Sequence, residues 1–114
     1  SMSRKTAPSV KQLIAGGESE VVEFKESFDE AALEAVAAFA NTRGGALLVG
    51  VSDDRTIKGV IMGKETLRDW ATRTAQATQG HPTFSHVSIE DKTIVVIDVP
   101  ESALKPLACR GRYV

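Results

Sequence analysis

Cys109 is the only thiol in the chain of 114 residues. A single cysteine closes no intrachain disulfide, and the natural compartment for such a sequence is the cytoplasm. Long hydrophobic runs are missing as well. No stretch approaches the roughly 20 apolar residues that a membrane-spanning helix needs, and the N-terminus lacks the apolar core of a signal peptide. An excess of one charge is also absent. Fourteen Lys and Arg against 15 Asp and Glu leave a net charge of −1. There is thus no global positive field, and any nucleic-acid binding needs a local patch of Lys and Arg. Internal repeats and low-complexity segments are absent too. What remains is 42% hydrophobic and 25% charged, the balance of one soluble domain with one core.

Apolar periodicity divides the chain into alternating helices and strands. Residues 1–8 read as a polar, flexible tail, with Ser1–Met2 a cloning remnant, and residues 9–114 as the domain. "PSVKQLIAGG" predicts a short helix capped by Ser9 and ended by Gly16–Gly17. "EVVEFK" predicts a strand with Val22 and Phe24 on one face and Glu23 and Lys25 on the other. "SFDEAALEAVAAFANTRGG" predicts a long helix, with Ser27 and Glu30 at capping-box spacing and Leu33, Val36, Ala37 and Ala40 on one face. "ALLVGVSDD" is apolar on both faces, as a central strand is, and "TIKGVIM" reads as its hairpin partner. "KETLRDWATRTAQATQG" predicts the second long helix, and "TFSHVSIED" and "KTIVVIDVP" two further strands. "LACRGRYV" reads as the start of a last hairpin. Because the chain stops inside it, a longer natural protein with further domains beyond Val114 is expected. The fold class is therefore α+β (mixed α/β): one mixed sheet with two long helices and a short N-terminal helix.

A strand, a helix and a strand in succession form a parallel crossover. That places Lys25 and Asp53 at the same, carboxyl edge of the sheet, where ligands of α/β folds gather. Glu18, Glu23 and Asp53 are the sharpest functional candidate there, and three carboxylates suit a hard divalent cation such as Mg²⁺ or Mn²⁺. The spacing of Glu18 and Glu23, five positions, puts them on opposite faces of a regular strand. They share a site only if residues 16–19 precede the strand proper. The competing reading is a solvated face in which Glu23 pairs with Lys25. "NTRGG" lacks the Gly-Lys-Ser/Thr ending of a phosphate-binding loop and reads as a helix cap and tight turn. His81 and His86 stand at no metal-ligand spacing, and Cys109 has no base near it in sequence. Lys25, Arg43, Lys105, Arg110 and Arg112 are the candidate phosphate contacts.

Taken in order, "ESEVVEFKES", "AVAAFANTRGGALLVGVSDD", "IKGV" and "KPLACRGRYV" resemble the Schlafen AlbA-like domain over residues 10–114. The resemblance implies a nucleic-acid-binding module, described in bacteria as DNA-binding, within a larger protein of the transcriptional-regulator or helicase-related type. It also implies an alternative. In animal Schlafens that cleave structured RNA such as tRNA, three acids form the site, and by motif these fall on Glu18, Glu23 and Asp53, with Lys25 adjacent. Those animal cores have two lobes; this chain has one, so a homodimer would be needed to recreate the pair. A structural or dimerisation role is the third reading.

Overall fold

The computed structural model describes residues 5–103. In chain order the elements are α1 (Ala7–Gly16), β1 (Val22–Lys25), α2 (Glu30–Asn41), β2 (Gly45–Val49), α3 (Thr66–Ala77), β3 (Thr83–Ile89) and β4 (Lys92–Val99). The four strands form one sheet in the order β1-β2-β4-β3. β1 and β2 are parallel, and the other two pairings are antiparallel. The mixed sheet and three helices are the expected α+β class.

Strand alternation builds two cores. Val22, Phe24, Ala46, Leu48, Val87, Ile89, Ile94 and Val96 face one side, where Val10 and Ile14 of α1 cover them. Leu47, Val49, Val95, Ile97 and Val99 face the other, against Ala32, Val36, Phe39 and Ala40 of α2 and, at its margin, Leu67 and Trp70 of α3. β2 and β4 lie between both layers, which is why each reads as an unbroken apolar run. Phe28 stacks on Trp70 with ring centroids 4.6 Å apart, and the Arg73 guanidinium lies 4.9 Å from the centre of the Phe28 ring. This pins the entry of α2 to α3.

Helix starts differ from expectation for local reasons. α1 begins at Ala7, inside the stretch expected to be tail, because Thr6 is its N-cap. Ser9 is instead the third helical residue of a reciprocal capping box, each side chain bonding the other's backbone N–H. α2 is capped by Asp29, whose Oδ1 accepts from Ala32 N at 3.0 Å. Ser27, expected as the cap, lies two residues before Asp29, and Phe28 between them is buried.

"TIKGVIM" does not form a hairpin strand. Only an isolated bridge, Val51 to Ile57, is made. Both edges of β2 are already occupied, by β1 and β4, so no ladder position remains beside it. The segment crosses beyond the end of β2 instead. Lys58 N and Gly59 N both donate to Gly50 O, and Val60 N donates to Thr93 O. "NTRGG" is the cap and turn expected of it. Gly44 (φ +78) donates to Phe39 O at 2.8 Å, and a Cβ there would sit 2.5 Å from Val99 O.

Candidate functional site

Lys25 ends β1 and Asp53 lies in the turn beyond β2, both at the carboxyl edge, while Glu18 and Glu23 lie along β1 and Arg43 stands before β2 at its amino end. Residues 17–19 run back along the outer side of β1, tied by the bridge between Ser19 and Val22. Glu18 is thereby lifted off the strand register, as its spacing demanded. Its Oε2 accepts from Phe24 N at 2.8 Å. In a parallel pair alternate amides point away from the partner strand, and Val21 O and Lys25 O are the groups bonded to the β2 side. The Phe24 N–H thus points outward, and the Glu18 carboxylate closes an edge amide that strand pairing leaves open.

Glu23 points to the α2 side of the sheet. Its Oε2 lies 3.4 Å from Lys25 Nζ, the same-face pair expected for a solvated strand. It opens on a niche of about 300 Å³ whose lining includes Ser19, Glu20, Ala35, Phe39 and Arg43. Arg43 Nη2 lies 2.6 Å from Glu20 Oε1. The two described cations expected to hold phosphate, Lys25 and Arg43, are therefore each matched by an acid of the same niche. Lys105, Arg110 and Arg112 lie outside the described residues, as does Cys109.

Asp53 is exposed in the turn from Ser52 to Arg55, closed by Arg55 N donating to Ser52 O at 2.9 Å. The acid that organises this turn is its neighbour. Asp54 Oδ1 accepts from Ser52 Oγ and, at 3.2 Å, from Thr56 N. These bonds hold the Asp54 carboxyl at about 2, below its ordinary value, with a smaller contribution from the charge of Lys58. Among the described residues, no group of three or more His, Cys, Asp or Glu side chains is arranged to hold a metal ion. Glu18, Glu23 and Asp53 do not converge. Glu18 is spent on a backbone amide, Glu23 on Lys25, and Asp53 stands in a separate turn. As placed, they do not fit Mg²⁺ or Mn²⁺.

The carboxyl edge carries cations that sequence reading passed over. Lys92 begins β4 directly after the turn at Glu90 and Asp91, both in the left-handed region (φ 55 and 63). Its stem lies against Gly59, where a Cβ would meet the Lys92 Cβ at 2.8 Å. Its Nζ reaches Ile57 O at 3.4 Å. Lys58, next to Gly59, is exposed on this rim. Arg55 reaches across to Ala15 O at 3.0 Å, at the C-terminal end of α1. None of the three forms an ion pair with a described carboxylate. The signal for Lys58 and Lys92 was the glycine between Lys58 and Val60, since only a residue without Cβ lets the two lysine-bearing segments approach this closely.

The fold and this edge define a small α+β module with a wide, charged rim and no enclosed catalytic pocket among the described residues. The family model described as "Schlafen, AlbA_2" matches residues 18–114, and the chain belongs to that family. Two solved structures share the fold. The N-terminal domain of a protein described as related to the ATP-dependent DNA helicase RecG, from Nitrosomonas europaea, is 26% identical. It aligns over 92% of this chain and 80% of its own, with a TM-score of 0.67. The DIP2311 protein of Corynebacterium diphtheriae is 20% identical, with a TM-score of 0.63 over 86% of this chain. The match spans 26% of that larger protein. No curated protein matches the sequence significantly.

Proposed function

We propose that this domain binds the phosphate backbone of nucleic acid through the carboxyl edge of its sheet, as one module of a larger protein. The observation that carries the reading is that Gly59 lies against the stem of Lys92, which brings the segment bearing the exposed Lys58 to the start of β4, and that neither lysine forms an ion pair with a described carboxylate. Asp54, the acid whose charge Lys58 feels, is already satisfied by Ser52 and Thr56. Two ammonium groups and the Arg55 guanidinium on one rim suit a polyanion whose charges repeat along a line. Such contacts position a nucleic acid without reading its sequence. Membership of the family and the likeness to a helicase-related N-terminal domain favour the same class of ligand, with DNA as the first candidate. Lys25 and Arg43 are secondary contacts in this reading, because binding there must first break ion pairs with Glu23 and Glu20.

The test is fluorescence anisotropy with duplex DNA and with duplex RNA, across a salt series. Binding is expected to weaken steeply with salt. On B-DNA, Lys58→Ala with Lys92→Ala should lower the slope of log K against log salt by about 0.9 for each phosphate left without its lysine. Lys25→Ala should change it less. Absence of binding at low salt, or a slope unmoved by the double variant, would overturn the assignment. Cleavage of the RNA probe that requires added Mg²⁺ and is lost in Glu23→Gln would instead favour the ribonuclease alternative.

A further inference from the structure

The two edges of the sheet are treated differently. At β1 the chain folds back, and Glu18 and Ser19 occupy outward groups of Phe24 and Val22. At β3, among the described residues, no strand pairs with the outer edge. β3 itself also carries none of the protections that an edge strand builds into its own sequence. Thr83–Ile89 contains no charged residue and no proline, and its register with β4 runs over seven pairs without a bulge.

The register fixes which groups are left open. Glu90 and Asp91 form a two-residue turn with both φ positive, so the closing pair, Ile89 and Lys92, is a hydrogen-bonded one. Alternation then assigns Val87, Ser85 and Thr83 to bonds with β4. The backbone N–H and C=O of Phe84, His86 and Ser88 point outward. These three residues are symmetric about His86. A second β3 laid antiparallel alongside would pair Phe84 with Ser88, His86 with His86 and Ser88 with Phe84. All six residues would meet as hydrogen-bonded pairs, and none would be left over.

We propose that β3 is a homodimerisation edge, joining two copies of this chain about His86 so that their described strands, four from each, form one continuous sheet. The interface is isologous, as a closed dimer requires, and its cross-strand side chains are uncharged Phe, His and Ser.

Sedimentation equilibrium and amide hydrogen exchange by NMR test this together on the 114-residue protein. The wild type should sediment at twice the 12.2 kDa chain mass at high concentration. The amides of Phe84, His86 and Ser88 should be protected in the dimer and should exchange quickly on dilution. Those of Ser85 and Val87, bonded to β4, should stay protected throughout. His86→Lys, which sets two ammonium groups opposite one another, should be monomeric with its Ser85 and Val87 amides still protected, showing that the domain is folded. His86→Thr should remain dimeric. Three results would each overturn the proposal. One is a wild type that is monomeric at all concentrations. Another is a dimer that survives His86→Lys. The third is protection of Phe84, His86 and Ser88 in the monomer, which would mean that another segment of this chain covers the edge.

Discussion

Replacing Glu18 by alanine separates a structural from a metal-binding role for the residue that the family pattern marks. The bond from Phe24 N to Glu18 Oε2 is 2.8 Å and part-buried. A hydrogen bond to a charged partner contributes about 1.5–3 kcal/mol net. Glu18 itself is exposed, and water can reach the vacated edge, so the loss should be near the lower end or below, about 1 kcal/mol. With 114 residues and an unfolding entropy of about 2.1 cal/mol/K per residue, that lowers Tm by about 4 °C. The Phe24 amide should exchange about fivefold faster, since each 1.4 kcal/mol is tenfold. Amides that donate from the β2 side to β1, such as those of Ala46 and Gly50, should change only by the global loss. Glu18→Gln keeps a carbonyl acceptor and should lose roughly half as much. Calorimetry and hydrogen exchange, with and without Mg²⁺, read all of this. If Glu18→Ala leaves Tm and Phe24 protection at wild-type values in the absence of metal, the edge-cap argument is wrong. A Mg²⁺-induced rise in Tm that Glu18→Ala abolishes would show a metal ligand instead.

Three further outcomes follow from specific contacts. Gly59→Ala should cost about 1–3 kcal/mol, because φ is +77 and the new Cβ meets the Lys92 Cβ at 2.8 Å; a denaturant midpoint equal to wild type would refute the close approach that joins Lys58 to Lys92. Asp54 should titrate with a midpoint of about 2. Its folded value is depressed, so its stabilisation is present above the ordinary value of 3.8 and is lost as pH falls toward 2; carboxyl chemical shifts of the wild type, and acid unfolding of Asp54→Ala, check this. Asp98 behaves in the opposite sense. Burial raises its value, and Lys5, 3.7 Å away, only partly offsets that. Its charged form is therefore the disfavoured one, and any stability gained from protonation is present below 3.8 and lost as pH rises through the raised value. Asp98→Asn should then leave Tm at neutral pH unchanged or higher; a clear fall would mean the pairing with Lys5 outweighs the burial.

The sheet and its helices were legible because each rests on a local rule with a long period. β2 announces itself as apolar on both faces, and two cores do cover it. The parallel crossover followed from a strand, a helix and a strand, and it correctly put the ends of β1 and β2 on one rim. "TIKGVIM" was misread because an apolar run carries no record of whether its neighbour still has a free edge. That is a property of the whole sheet order, fixed only when β4, much later in the chain, takes the place beside β2. Caps slipped by two or three residues because several short polar side chains stand near each helix start, Thr6 and Ser9 at α1 and Ser27 and Asp29 at α2, and sequence spacing does not choose between them.

The candidate site was legible in kind but not in grouping. The pattern in "ESEVVEFKES" required Glu18 to leave the strand, and it does, yet its destination is a backbone N–H rather than a second carboxylate. A carboxylate beside an open edge amide finds a donor at no cost in charge repulsion, whereas three carboxylates gathered without a cation repel one another. The geometry therefore favours Glu18 and Glu23 each with its own donor and Asp53 exposed to water. Lys58 and Lys92 are far apart in sequence, one in the largely apolar "TIKGVIM" and the other after Glu90 and Asp91, so composition offered no reason to couple them. The link is Gly59, whose positive φ and missing Cβ let one loop lie against the start of β4. The outer side of β3 was equally invisible to composition, because an edge is defined by what does not pair with it. Its alternation of outward groups about His86 appears only once the two-residue turn at Glu90 and Asp91 fixes the register.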